Sequence, residues 1–345
     1  MKSQRVLIEV RTGSDSDIPK IRKAYEFFES VGIPYSPRIL SAHRTPQAMA
    51  AEARRLSDNG FFVSIAAAGG SAHLPGMTAS ETALPVVGLP VTTSNLNGLD
   101  SLYSIIQMPD GIPVGCVGIG ESESAAILAS EIAYNDDPEI RNKIRSYRGI
   151  EGEIPADVRK TSLVGIIKAS GTEVDERKYA EMDSTFEQFG LRTKAFELPV
   201  ADQGAVNSLV KELESEGSVA LIIIGGLAQQ KPTNHFPAIV SEKTDIPTIG
   251  LPVAKGFAGS DPRIEGDIFH AMLFSTAPTG KLIGHPVAGM GINRYMNAGL
   301  FATQIAGVSD AAVQQKIKEY RAGLAEAVKE KDSRIQKEGV RPFLK

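Results

Sequence analysis

Near its start the chain sets a pattern that later segments repeat. Val6 to Val10 is a short apolar run with β-branched residues, and Ile18, Ile21, Tyr25 and Phe28 then recur at spacings of three, four and three. A continuous run giving way to a period near 3.6 predicts a strand followed by an amphipathic helix. Asp17 and Pro19 supply a cap and a first-turn residue, and Gly32 a stop. Tyr35 to Leu40 then reads as a second strand, Pro46 to Leu56 as a helix, Phe62 to Ala67 as a third strand, Val86 to Val91 as a fourth and Val114 to Gly118 as a fifth. Strands alternating with helices predict an α/β fold with a parallel sheet covered on both faces.

The same order returns in the second half. Gly13-Ser14-Asp15-Ser16-Asp17 is echoed by Gly171-Thr172-Glu173-Val174-Asp175, 158 positions later, and Gly32 by Gly190 at the same offset. Gly69-Gly70 matches Gly225-Gly226 at 156, Pro85 to Val91 matches Pro247 to Val253 at 162, and Lys143-Ile144 with Tyr147-Arg148 matches Lys316-Ile317 with Tyr320-Arg321 at 173. Five collinear echoes are hard to obtain by chance. They divide the chain into a first copy over residues 1–150, a linker over 151–160 where Gly152 and Pro155 interrupt any helix, and a second copy over 161–345. Ala220 to Ile224, the most apolar stretch, stops at Gly225 and is far short of the ~20 residues of a membrane helix, so it reads as a buried strand.

Composition narrows the class. With 42% hydrophobic and 23% charged residues in 345, the chain has the make-up of an ordinary globular protein rather than a disordered one. Its 37 Lys and Arg against 41 Asp and Glu leave a formal charge of -4, so no general nucleic-acid surface is expected, although a few basic residues suffice for one phosphate. Cys116, the single cysteine, allows no intramolecular disulfide and no multi-thiolate metal site, and is expected to fill the core of a protein in a reducing cytosol. The short run Val6-Leu7-Ile8 before Glu9 is too little for a signal peptide. Gly118-Ile119-Gly120 lacks the third glycine of a dinucleotide fingerprint, and no Walker loop, His-Glu-x-x-His, paired Cys-x-x-Cys or Gly-x-Ser-x-Gly occurs. The expectation is chemistry without metal or organic cofactor.

In an open parallel sheet, ligands bind beyond the carboxyl ends of the strands. The unusual polar segments of the first copy fall there: Gly13 to Asp17, Ser41-Ala42-His43-Arg44-Thr45-Pro46, and Gly69-Gly70-Ser71-Ala72-His73-Leu74-Pro75-Gly76-Met77. Hydroxyls and Arg44 near a helix start suit a phosphate, Asp17 suits sugar hydroxyls, and His43 suits proton transfer. Two alternatives stay open: Ser16 and Asp17 either cap a helix or meet a ligand, and His73 either reacts or orients the glycine loop.

Together with Gly98-Leu99-Asp100-Ser101-Leu102-Tyr103-Ser104-Ile105-Ile106-Gln107-Met108-Pro109, these motifs closely resemble the N5-carboxyaminoimidazole ribonucleotide mutase family, the catalytic subunit of phosphoribosylaminoimidazole carboxylase, over residues 5–148. The resemblance implies a flavodoxin-like three-layer sandwich in each copy and a role in de novo purine synthesis. It implies phosphate and ribose ligands at Ser14, Asp17, Ser41 and Arg44, beside which Ser16 is also expected to bind substrate, a proton-transfer histidine at His43, and a carboxyl or carbon dioxide pocket at Ala68, Gly69, Gly70, Ala72, His73 and Leu74. The reaction it implies moves a carboxyl from the exocyclic nitrogen to the neighbouring ring carbon. Direct carboxylation of aminoimidazole ribonucleotide by carbon dioxide is the alternative. A carbamate-forming synthase is the possible functional partner, and backbone N–H groups at Gly69 and Gly70 are expected to approach the released carbon dioxide.

The second copy departs from this pattern. At the offset of 158, His43 corresponds to Ala201 and Arg44 to Asp202, a carboxylate expected to repel a phosphate, and Gln229-Gln230-Lys231 replaces the loop around His73. His235, His270 and His285 stand elsewhere. The second copy is therefore expected to be structural, with a regulatory or independently active nucleotide site as the alternative. The family resemblance implies an octamer, so two fused copies predict a homo-tetramer with eight such domains.

Overall fold

The computed structural model describes residues 5–94, 96–155, 157, 160–226, 236–254 and 286–344. In the first copy β1 (Ile8–Thr12), β2 (Tyr35–Ile39), β3 (Val63–Gly69), β4 (Val86–Val91) and β5 (Gly115–Cys116) alternate with helices. These are α1 (Arg22–Val31), α2 (Pro46–Arg54), α3 (His73–Glu81), α4 (Leu99–Ile106), α5 (Ser122–Ala133) and α6 (Pro138–Arg148). The second copy runs β6 (Leu163–Ala169), α7 (Glu176–Phe189), β7 (Arg192–Leu198), α8 (Gln203–Ser215), β8 (Ala220–Gly226), α9 (Phe236–Ser241), β9 (Thr248–Val253), β10 (Val287–Gly289), α10 (Tyr295–Ser309) and α11 (Ala311–Glu338).

The fold class is that expected, with one difference: the two sheets are not separate. Strand order is β2-β1-β3-β4-β5-β10-β9-β8-β6-β7 in a single ten-stranded sheet. Among the described residues pairing is parallel within each half and antiparallel only at the seam, where Gly289 of β10 faces Cys116 of β5. The short β5 would otherwise be an open edge, and joining the halves removes it. Gly115 makes the approach possible, because a Cβ there would stand 2.5 Å from the Phe301 ring of α10. Cys116 is fully buried, and burial pushes its thiol pKa up, as suits an inert core residue.

Hydrophobic cores follow the same division into faces. One cluster runs unbroken across both copies, joining Phe27 and Phe28 of α1, Ile127 of α5, Ile144 of α6, Phe186 of α7, Phe301 of α10 and Ile317 of α11. On the other face each copy has its own core, Met49, Leu74, Leu102 and Ile105 in the first and Val206, Leu213, Phe236 and Val240 in the second. Burial of α5 and α10 on almost every side explains their small polar and apolar residues in place of an amphipathic stripe.

Several predicted boundaries move for identifiable reasons. β1 begins two residues later than the apolar run and takes in Arg11 and Thr12. Glu9 and Arg11 lie on one face of the strand and satisfy each other inside the protein, with Arg11 Nε donating to Glu9 Oε2 at 2.6 Å and Ser64 Oγ to the same oxygen at 3.0 Å. The first helix opens as a 3-10 turn over Asp15–Ile21 capped by Ser14, rather than at Asp17. β5 keeps only two of the five predicted residues.

Each copy's last helix reaches the other copy. Arg148 of α6 donates from Nη2 to Ser241 O at 2.5 Å, and Arg321 of α11 donates from Nη1 to Ala79 O at 2.6 Å. The two contacts are related by the repeat offsets themselves, 173 for the arginines and 162 for their acceptors, so the halves are joined as a pseudo-two-fold pair. Among the described residues a buried charge cluster stands at one crossing and not at the other. There Asp245 accepts from Arg141 Nε at 2.6 Å, Arg141 Nη2 at 3.1 Å and Arg145 Nη1 at 2.8 Å. Gln314 and Ala83 hold the equivalent places of Arg141 and Asp245 at the other crossing.

Candidate active site

β1 lies between β2 and β3, so the loops leaving their carboxyl ends are neighbours. Two side chains tie the three loops together. Arg44 Nη2 donates to Gly13 O at 2.7 Å, and the Arg44 backbone N–H donates to Ser41 Oγ at 3.1 Å. His43 Nε2 and His73 Nδ1 are 2.8 Å apart with their rings edge-on at 87°. One imidazole donates and the other accepts, so the pair shares a single hydrogen along that line. His43, Arg44, Ser16, Ser71 and His73 are all exposed, and Arg44 keeps guanidinium N–H groups to offer an anion.

The remaining expected site residues divide. Ser14 and Ser16 hydroxyls are 2.9 Å apart at the end of β1, and Asp17 is held by Lys20 at 3.3 Å. Ser14 is the helix cap, so neither Ser16 nor Asp17 is spent on capping. Ser41 sits under Arg44. Ala68, Ala72 and Leu74 turn their side chains into the first copy's core, at 8%, 1% and 2% exposure, so only their backbones could meet a ligand. Gly69 ends β3 opposite Val91. Gly70 differs from the expectation: its N–H donates to Ser101 Oγ at 2.9 Å and is not aimed at a ligand. Ser101 stood inside a motif noted in the sequence, yet only its contact with a distant loop reveals what it does.

The second copy requires a correction at Asp202. Six residues, 40–45, separate β2 from α2, whereas four, 199–202, separate β7 from α8. Asp202 therefore takes the place of Thr45 immediately before the helix, and its Oδ1 accepts from Ala205 N–H at 2.9 Å. It is a cap rather than a carboxylate standing where Arg44 stands, and the shortened loop carries no counterpart of His43 and Arg44. His235, His270, His285 and Gln229 to Lys231 lie outside the described residues. Among the described residues no group of three or more His, Cys, Asp or Glu is placed to hold a metal, and no helix is long and apolar enough to cross a membrane.

Loops converging past the carboxyl ends of a parallel sheet place the chain in the class of open-sheet α/β proteins that receive a small ligand there. The AIR carboxylase family model matches residues 7–152 and again 163–327. The chain belongs to that family, as a tandem of two copies. The N5-carboxyaminoimidazole ribonucleotide mutase of Pyrococcus horikoshii is 49% identical over 147 residues, covering 43% of this chain and 83% of the relative. That of Thermotoga maritima is 53% identical over 136 residues, 39% of this chain and 80% of the relative. A chloroplastic phosphoribosylaminoimidazole carboxylase from Vigna aconitifolia is 54% identical over 117 residues, 34% of this chain and 21% of the relative.

Proposed function

We propose that the first copy converts N5-carboxyaminoimidazole ribonucleotide to 4-carboxy-5-aminoimidazole ribonucleotide in purine synthesis, in the cytoplasm. The observation that carries this is the convergence of His43, His73 and Arg44 in a chain whose relatives bear the mutase name. Arg44, with the Ser14, Ser16 and Ser41 hydroxyls, holds the phosphate, and Asp17 the ribose. Protonated His43 gives its proton to the exocyclic nitrogen as the carbamate N–C bond breaks and carbon dioxide leaves. The ring carbon then bonds to that carbon dioxide, and the hydrogen it bore returns to His43 as a proton. Gain and loss balance on one residue, so the cycle closes without a metal or redox group. His73 orients His43 through their shared hydrogen. A carbamate-forming synthase supplies the substrate. Turnover of this substrate by the full chain tests the reading, and absence of 4-carboxy product refutes it.

Arg44→Ala removes a charge-assisted phosphate contact and is expected to weaken substrate binding by about ten- to a hundredfold. Titration calorimetry checks this, and unchanged affinity places the phosphate elsewhere.

The second copy acts as scaffold and the chain assembles as a tetramer of eight domains. Its support is the open, surface-exposed site, which a neighbouring chain would enclose, together with the packing elements retained in a copy without the histidine and arginine. Light scattering should give four times 36.8 kDa. Truncation after Gly149 should yield an insoluble or poorly active first copy, because it opens the β5 edge and removes Asn297, which accepts from Gly111 N–H at 2.9 Å and donates to Pro109 O at 3.0 Å. A monomeric full chain, or a soluble and fully active first copy, overturns the scaffold role.

A further inference from the structure

Gly70 lies at φ +68° between β3 and α3, a left-handed conformation that glycine adopts freely and that no side chain of its own can anchor. Its backbone is gripped from α4 instead. The Gly70 N–H donates to Ser101 Oγ at 2.9 Å, and Ser101 Oγ donates to Val91 O at the end of β4, also at 2.9 Å. One turn further along, Ser104 Oγ lies 3.4 Å from Gly70 O while donating to Asp100 O at 2.9 Å. The start of α4 is itself pinned, with Thr93 Oγ1 donating to Asp100 Oδ1 at 2.9 Å and Gly98 N–H donating to Thr93 Oγ1 at 3.3 Å. Three residues after Gly70 comes His73, at 2.8 Å from His43.

We propose, building on the mutase reading above, that Ser101 is a positioning residue that clamps the Gly70 loop, and through it both sets His73 against His43 and keeps closed the loop that retains released carbon dioxide. A hydroxyl is suited to the place because it accepts from one backbone group and donates to another in the same small volume. Ser101 is fully buried, so its loss leaves the buried Val91 carbonyl without this donor and the half-buried Gly70 N–H without this acceptor. The loop then shifts to find other partners. Recapture of carbon dioxide competes with its escape, and a shifted loop favours escape.

The test is turnover of N5-carboxyaminoimidazole ribonucleotide by the full chain in buffer containing 13C-bicarbonate and carbonic anhydrase, with the 13C content of the product measured. In the wild type the carboxyl stays within the site and little label enters. Ser101→Ala should hold KM within about threefold, lower kcat about ten- to a hundredfold, and raise the labelled fraction of product at least about fivefold. Ser101→Thr, which keeps the hydroxyl, should return the labelled fraction to the wild-type value. A purely structural role reduces the amount of active protein and leaves label per turnover unchanged, which overturns the proposal. If Ser101→Ala yields no soluble protein, the exposed Ser104→Ala decides: about a twofold rise in label supports the clamp and no rise overturns it. A wild type that makes no 4-carboxy product overturns the mutase reading and the clamp with it, an outcome distinct from an active wild type with label unchanged in Ser101→Ala.

Discussion

His43→Asn is expected to bind substrate within a few-fold of the wild type and to lose about 10²–10⁴ in kcat, the usual contribution of a positioned acid or base. Asparagine ends about where the imidazole Nδ1 lies and gives up the 2.8 Å contact between His43 Nε2 and His73 Nδ1, but Arg44 stays tied to Gly13 O and the Gly70 N–H to Ser101 Oγ, so the three loops keep their arrangement. What is lost is a group that can release a proton and take it back. Single-turnover kinetics with a parallel binding titration separate the two effects. Retention of more than about a tenth of kcat assigns the proton transfer elsewhere, with His73 the first candidate.

The second large effect is on stability. Asp245→Ala should lower the unfolding free energy by about 3–5 kcal/mol at neutral pH, because it leaves Arg141 and Arg145 buried without their shared acceptor. The aspartate also carries a pH signature. Burial alone would raise its pKa, but Arg141, Lys160 and Arg145 outweigh burial and hold it at about 2, below the ordinary 3.8. The folded carboxyl therefore resists protonation more than the unfolded one does. Its stabilisation is complete above about pH 4 and fades as pH falls through about 2. Urea unfolding of wild type and variant across this range should show two midpoints, well apart at pH 7 and converging in acid. Coincident midpoints at pH 7 would mean that the cluster contributes nothing to holding the halves together.

Much of the architecture was readable from the order of residues. β4 occupies Val86–Val91 as its apolar run predicts, and α2 starts at Pro46 as a proline in the first turn requires. The three loops meet because neighbouring strands of a parallel sheet leave them side by side, which follows once the alternation of strands and helices is recognised. The seam was not readable, since β5 and β10 are two and three residues long and carry no pairing signal of their own. The apolar run ends the predicted strand at Val10 and leaves Arg11 out, because an apolar count cannot see two charges neutralising each other across one strand face. Asp202 was misplaced because offset arithmetic has no knowledge of a two-residue deletion. The role of Ser101 depends on a partner 31 residues away, beyond the reach of any local pattern.

The reciprocal crossing of α6 and α11 changes the thermodynamics of the assembly. Were the two halves separate polypeptides, the seam would form by a bimolecular encounter and would come apart on dilution, with a midpoint that tracks protein concentration. Written into one chain, the same contacts form at the effective concentration set by a short connection, roughly millimolar for such tethers, whatever the amount of protein present. Mass action no longer governs whether a first copy finds a second. Association inside the pair is freed from expression level.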